Sequence, residues 1–324
     1  MEVKAKTTGV LLMAYGAANS LEEIEPYLLD IRGGRPTSAE LVHEIQERYK
    51  AIGGKSPLLN ITRAQASSLK KFLNKSSSPL TPHPSPLFKV FIGMRHWHPY
   101  IKDPVAEMTK GGVQKFIALC LTPYYSKMSV EAYRQKLDGA MGRWGDGAKK
   151  IECVFVEHWH DEPLLIQAFA EKLKIALSKF SEKEKKNLTV IFSAHSLPKK
   201  ILEWRDPYPR QLMETAGLVA KKCGLDQTQW TLAYQSQGRT PEPWLGPDVT
   251  QAIEGLAGKG TKNVILDPIG FISDHMETLY DDDILYKNLA ESKKMKFVRA
   301  ETLNAAPALI SALASVIHKN ADLA

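Results

Sequence analysis

Leu188-Thr189-Val190-Ile191-Phe192-Ser193 is followed directly by Ala194-His195-Ser196-Leu197-Pro198. The first six residues form an apolar run without strict alternation, which predicts a strand covered on both faces. Seven more runs read the same way: Val10–Ala14, Phe88–Gly93, Lys115–Leu121, Ile151–Glu157, Trp230–Tyr234, Asn263–Asp267 and Lys296–Arg299. Amphipathic stretches of helical period lie between them. Alternation of strand and helix predicts parallel sheets wound by right-handed crossovers. In open sheets of that kind a ligand binds beyond the carboxyl ends of the strands. His195 therefore stands where chemistry is expected.

Eight strands can also close into one barrel. Three helical segments in a row after the first strand favour an open, two-domain arrangement instead. Ser20 with Glu23 and Thr37 with Glu40 have the spacing of capping boxes, and Gly33-Gly34 and Gly53-Gly54 close the helices that follow. Ser76–Pro86, with four Ser and four Pro, predicts a flexible surface loop. The polar segment Ser181–Lys186 marks a change between the halves. The domains are placed at 1–160 and 161–324, with the C-terminal helix free to pack back on the first.

The chain has 324 residues, 44% hydrophobic and 24% charged, which suits a globular protein with a substantial core. Its net charge of +7 is spread rather than clustered, and no nucleic-acid-binding signature accompanies it. Nucleic acid is not an expected partner. Cys120, Cys153 and Cys223 match no C-x-x-C spacing and read as structural thiols in a reducing compartment. No apolar run approaches the roughly 18 residues of a membrane span. A cytoplasmic chain is expected, with peripheral membrane contact left open.

Several strand ends carry candidate chemistry. His195 can ligate a metal or accept a proton near neutral pH. Glu277 and Asp281, one helical turn apart, share a face and form a track that cations can follow. Asp282 and Asp283 turn to other faces and read as solvated. Arg32 and Arg48 lie on early helices leading back to the first strand end, and a guanidinium binds carboxylate bidentately. Trp244 is held in Gly238–Asp248, a loop with three prolines, as a wall for a flat ligand or a plug for the core. His96-Trp97-His98 and His158-Trp159-His160 each place two imidazoles on one strand face. Both lack a third ligand at a usual spacing, so surface or packing roles are expected, His96 being the candidate exception.

Taken in order, several segments resemble the ferrochelatase family over nearly the whole chain. They are Leu11–Gly16, Glu23–Tyr27 through Ile31–Arg35, Arg48–Leu58, Ser193–Pro198, the Trp244 loop and Gly270–Glu277. The resemblance implies two Rossmann-like, chelatase-type domains with parallel sheets flanked by helices and a porphyrin cleft between them. It implies insertion of Fe²⁺, as substrate metal, into a free-base porphyrin during haem synthesis, with no organic cofactor. His195 and Glu277 match the family's metal-site histidine and glutamate, with Asp281 behind. Tyr15 matches the tyrosine that faces the metal from the other side of the macrocycle in coproporphyrin enzymes of Gram-positive type. Arg32, Arg48, Tyr49, Ser56 and Tyr133 resemble the residues that receive propionates and line the pocket, and Trp244 belongs with them.

The implied substrate is coproporphyrin III, with protoporphyrin IX as the alternative. The implied partners are the porphyrin and, transiently, the preceding oxidase or the following haem-pathway enzyme. A monomer is expected. The chain departs from the pattern at Leu285, where a relative carries a further carboxylate, and in its second His-Trp-His triplet. The family's cluster-binding cysteines, found in some members, are not reproduced. A cobalt or nickel chelatase and a porphyrin carrier are competing readings. A nicotinamide dehydrogenase is disfavoured because no G-x-G-x-x-G follows Val10–Ala14.

Overall fold

A computed structural model describes residues 7–75, 87–142 and 151–321; the Ser76–Pro86 loop lies outside them. All eight apolar runs are strands: β1 (Thr7–Ala14), β2 (Leu87–Met94), β3 (Lys115–Cys120), β4 (Glu152–Val156), β5 (Leu188–His195), β6 (Trp230–Gln235), β7 (Asn263–Asp267) and β8 (Lys296–Arg299). They form two four-stranded sheets, ordered β2-β1-β3-β4 and β6-β5-β7-β8. Every pairing is parallel. The two halves therefore repeat one topology. In each, the chain leaves the first strand toward one side and returns on the other, opening a crevice at that strand's carboxyl end.

Three helices separate β1 from β2: α1 (Ile24–Ile31), α2 (Ala39–Ala51) and α3 (Leu58–Leu73). The rest of the first half carries α4 (Lys102–Lys110) and α5 (Val130–Ala140). The second half contributes α6 (Pro163–Leu177), α7 (Glu182–Lys185), α8 (Tyr208–Lys222), α9 (Val249–Gly258), α10 (Lys287–Ser292) and α11 (Pro307–Ala321). A π-helical segment, Thr278–Tyr286, runs directly into α10.

Strand residues are apolar on both faces because both faces are covered. Val10 and Leu12 of β1 join Val190 and Phe192 of β5 in one continuous core, filled by Leu69, Phe169, Leu212 and Leu313 from α3, α6, α8 and α11. Leu11 and Met13 point the other way, onto α4 and α5. Ile191, Val264 and Leu266 do the same beneath α9 and α10. Each such buried side chain contributes about 1.5–3 kcal/mol. Because α11 packs on α3, α6 and β3, the central core belongs to both sheets.

Two local expectations need correction. Glu23 makes no capping box with Ser20. Its Oε2 instead accepts from Asn19 N at 2.7 Å and from Trp97 Nε1 at 2.8 Å. One carboxylate oxygen thus serves both a local partner, Asn19, and a distant indole. At α2 the cap is Ser38, accepting from Leu41 N, and not Thr37. The glycine closures are present: Gly34 N donates to Leu29 O and Gly54 N to Tyr49 O, each at 2.8 Å. Both glycines take φ of +84°, which suits a residue without Cβ.

Asp267, at the end of β7, is 2% exposed and its Oδ2 has no partner among the described residues. Burial pushes its carboxyl up from an ordinary 3.8 to about 8. Between those values the folded chain keeps a proton that the unfolded chain releases, so stability falls as pH rises through that window. Asp267→Asn is expected to remove this loss. In urea unfolding the variant should gain on the parent steadily from pH 5 to pH 8, and a pH-independent difference would rule the assignment out.

Candidate functional site

β5 ends at His195 and β7 leads into the loop carrying Glu277, so both flank the crevice of the second sheet. Their approach depends on Gly270. Its N donates to Ser193 O at 2.9 Å, and a Cβ there would stand 2.5 Å from both Cα and Cβ of Ala194. His195 Nδ1 donates to Ser196 O at 2.5 Å, which leaves Nε2 as the bare nitrogen, 3.7 Å from Glu277 Oε1. Tyr208 Oη donates to His195 O, and Leu245 N donates to Leu197 O. The segment after His195 is thereby fastened to α8 and to the Trp244 loop.

Glu277 is flanked on its other oxygen by His275 Nε2 at 3.5 Å. Burial pushes Glu277 up, but His195, His275 and the Ser236 hydroxyl outweigh it and hold the carboxyl below its ordinary value. Asp281 follows on the π-helical segment and accepts from Ser236 Oγ at 2.7 Å. Burial, reinforced by the charge of Glu277, raises Asp281. Asp282 is not solvated, contrary to expectation. It is fully buried, accepts from Gln235 Nε2 at 2.8 Å, and burial drives it well above its ordinary value. Asp283 is paired with Arg299 at 2.6 Å. The wider turn of a π-helix, a rarity that favours functional sites, distributes three consecutive acids among three environments. The result is a Glu277 carboxyl held below its ordinary value, backed by Asp281 and Asp282, which burial raises.

Across the cleft, β1 ends at Ala14 and is followed by Tyr15, 41% exposed, and the turn beyond it depends on Gly16. Gly16 has φ +96°, and a Cβ there would meet Trp97 N at 2.8 Å. Arg95 lies over the rings of Tyr15 and Tyr133, at 5.7 and 5.6 Å. His96 packs on Tyr15 with ring centroids 4.8 Å apart, its Nδ1 held by Asp30 at 2.8 Å. Burial holds the His96 imidazole below its ordinary value, against the pull of Asp30. The charge of Glu277 reaches Tyr15, Tyr27 and Tyr49, and the Tyr49 hydroxyl is pushed up to about 12, mainly by burial. Met276 packs against the buried cluster that holds Ile24, Tyr27, Tyr49 and Trp97. The two sheet ends thus converge on one aromatic-lined space.

The remaining residues divide. Arg32 is exposed at the end of α1. Arg48 is already engaged, by Glu44 at 2.9 Å and Asp281 at 3.6 Å, and lies over Tyr280. Glu44 also takes Arg239, so α2 is tied to the Trp244 loop. Ser56 is buried and its hydroxyl accepts from Leu58 N at the start of α3. Trp244 is half-buried, donates to Thr240 Oγ1, and leaves no room for a Cβ on Gly238. Sequence reasoning missed Arg95, His275 and Ser236. Each directly follows a strand or neighbours Glu277, and that position was the available signal.

Residues 7–321 match the ferrochelatase family profile. The chain belongs to the ferrochelatase family. It is 44% identical over 316 residues to a ferrochelatase of Deinococcus radiodurans, covering 98% of this chain and 96% of that one. It is 42% identical to the coproporphyrin III ferrochelatase of Halalkalibacterium halodurans, with 97% of each covered. It is 39% identical to that of Bacillus subtilis, with 97% and 98% covered. Among solved structures, the sirohydrochlorin chelatase SirB of Bacillus subtilis subspecies spizizenii in complex with cobalt superposes with a TM-score of 0.57 at 8% identity, over 98% of this chain and 96% of that one. That likeness concerns the two-sheet chelatase fold alone. Two further features lie outside the cleft. A groove of about 610 Å³ along the edge strand β2, lined by Arg63, Lys70, Lys89 and Glu107, includes none of the site residues. One donor atom from each of His158, His160 and Asp161 lies within 4.8 Å of the others, which sets a carboxylate beside the second triplet. Among the described residues no helix is long and apolar enough to cross a membrane.

Gly270→Ala is expected to drive the Glu277 loop away from β5. Overpacking of this kind costs roughly 1–3 kcal/mol, visible as a lower urea midpoint. An unchanged midpoint would show that the two strand ends separate without strain.

Proposed function

We propose that this ferrochelatase-family chain inserts Fe²⁺ into coproporphyrin III, giving Fe-coproporphyrin III. The observation that carries the reading is the bare Nε2 of His195 facing an ionised Glu277 across 3.7 Å, opposite Tyr15. A divalent ion with metal–ligand distances of about 2.1 Å spans donors up to about 4.2 Å apart. That spacing therefore suits a metal or a proton moving between the two. Several relatives at 39–42% identity carry the name coproporphyrin III ferrochelatase, which supports the choice of porphyrin.

Two pyrrole protons must leave for each iron that enters. His195 Nε2 takes a proton from the macrocycle, and the imidazolium so formed is stabilised by Glu277 beside it. The imidazolium hands that proton to Glu277, which passes it inward to Asp281, whose raised affinity makes it the next acceptor. The second pyrrole proton follows the same route once the first has left Asp281. Iron and protons then move at different moments, which avoids placing like charges together. Rigid walls formed by Tyr15, Tyr133 and Trp244 hold the macrocycle bent, using contact energy along the ring to offset the strain. Arg32 meets a propionate directly. Arg48 does so by exchanging Asp281 for the substrate carboxylate.

His195→Ala should abolish iron insertion while porphyrin binding, followed by absorbance, survives. Loss of binding with a normal melting curve would make His195 a binding residue instead. Arg32→Ala and Arg48→Ala should mainly raise the porphyrin KM, because propionate contacts act in ground and transition states alike. A fall in turnover at constant KM would remove them from the propionate site. Anaerobic assays with coproporphyrin III and protoporphyrin IX side by side test the substrate, and preference for protoporphyrin IX would overturn it.

A further inference from the structure

We propose that His158, His160 and Asp161 form a second site for a divalent transition-metal ion, at the end of β4 and separate from the His195–Glu277 pair. The segment is held from both sides. Trp159 is buried, donates Nε1 to Cys120 O at 3.0 Å and takes Pro123 O with its backbone N at 2.9 Å. The carbonyl of His160 accepts from Thr215 Oγ1 of α8 at 2.8 Å. With the indole anchored, the imidazoles on either side of it lie with centroids 5.2 Å apart. One donor atom from each of His158, His160 and Asp161 falls within 4.8 Å of the others.

His160 is 3% exposed, and its two nitrogens are treated unequally. Glu214 Oε2 holds Nε2 at 3.1 Å. Nδ1 is buried and has no hydrogen-bond partner among the described residues, standing 4.0 Å from Asp161 Oδ1. Buried polar atoms are nearly always satisfied, so an orphaned imidazole nitrogen needs an explanation. A carboxylate on the far nitrogen fixes the tautomer and leaves the near lone pair bare, which is how histidine ligands are commonly oriented toward a metal. Glu214 occupies that position.

Two imidazole nitrogens with one carboxylate oxygen favour Zn²⁺, Fe²⁺ or Co²⁺ over Mg²⁺ or Ca²⁺, which prefer oxygen ligands. Ligands about 2.0–2.1 Å from a tetrahedral metal stand about 3.4 Å apart. Closing to that spacing from the present one asks only for rotation of His158 and Asp161, both exposed, about a fixed His160. The site shares no residue with the insertion pair and takes the same class of ion.

The test uses the full chain carrying His195→Ala and Glu277→Gln, so that the insertion pair is gone. Co²⁺ titrated into it should bind at one equivalent per chain, with visible d–d absorption. Adding His158→Ala should weaken binding at least tenfold, and Glu214→Gln should weaken it about 10–100-fold without removing a ligand. His158 is exposed, so its variant should melt like the parent in the absence of metal and retain iron insertion in an otherwise native chain. Failure of the double variant to bind Co²⁺, or binding indifferent to His158→Ala, would overturn the site.

Discussion

The site depends on the contact between Gly270 and the end of β5. Parallel pairing of β5 with β7 sets Phe192 opposite Asp267, and the chain then turns so tightly that Gly270 lies against Ser193 and Ala194. No side chain fits there. The Glu277 loop is consequently laid across the mouth of the strand that ends in His195. Everything chemical about the second half follows from that approach: the short His195–Glu277 gap, the placement of His275, and the start of the acidic helix. The first half has a parallel device in Gly16, whose positive φ and missing Cβ let Trp97 close on the turn after Tyr15.

Electrostatics then differentiate residues of one type. Glu277 and Asp282 are both carboxylates within one short stretch, yet they are pushed in opposite directions. Glu277 meets two imidazoles and a hydroxyl, whereas Asp282 is buried with a single neutral amide as its hydrogen-bond partner. Such divergence between neighbouring acids is the usual physical basis for dividing acid and base roles. Arg48, paired with Asp281 across the cleft, couples the two halves through charge as well as through the shared core.

Much of the fold was legible in the chain. The eight apolar runs became the eight strands because burial on both faces leaves a signal that needs no partner to read. The capping residues were read less well. Glu23 accepts from Asn19 and from Trp97, more than seventy residues away, and no local spacing encodes the second contact. Asp282 was misplaced for a related reason. Helical geometry of 3.6 residues per turn was assumed, while a π-helical turn carries it inward to Gln235. Spacing along the chain showed no third donor at a usual interval for the second His-Trp-His triplet. Asp161 and the orienting Glu214 are brought to it by the turn after β4 and by α8.

By itself the sequence determined the parallel α/β class and the placement of His195, Glu277 and Tyr15 beyond strand ends, while the choice of two sheets over one barrel leaned on the family resemblance. Those follow from local period and from the rule that such sheets bind ligands at their carboxyl edges. Only the tertiary structure decided which strand ends face each other, which nitrogen of His195 is bare, and which acids are raised and which lowered. These depend on distances between segments remote in the chain, and both Coulomb interaction and desolvation vary with such distances and with burial.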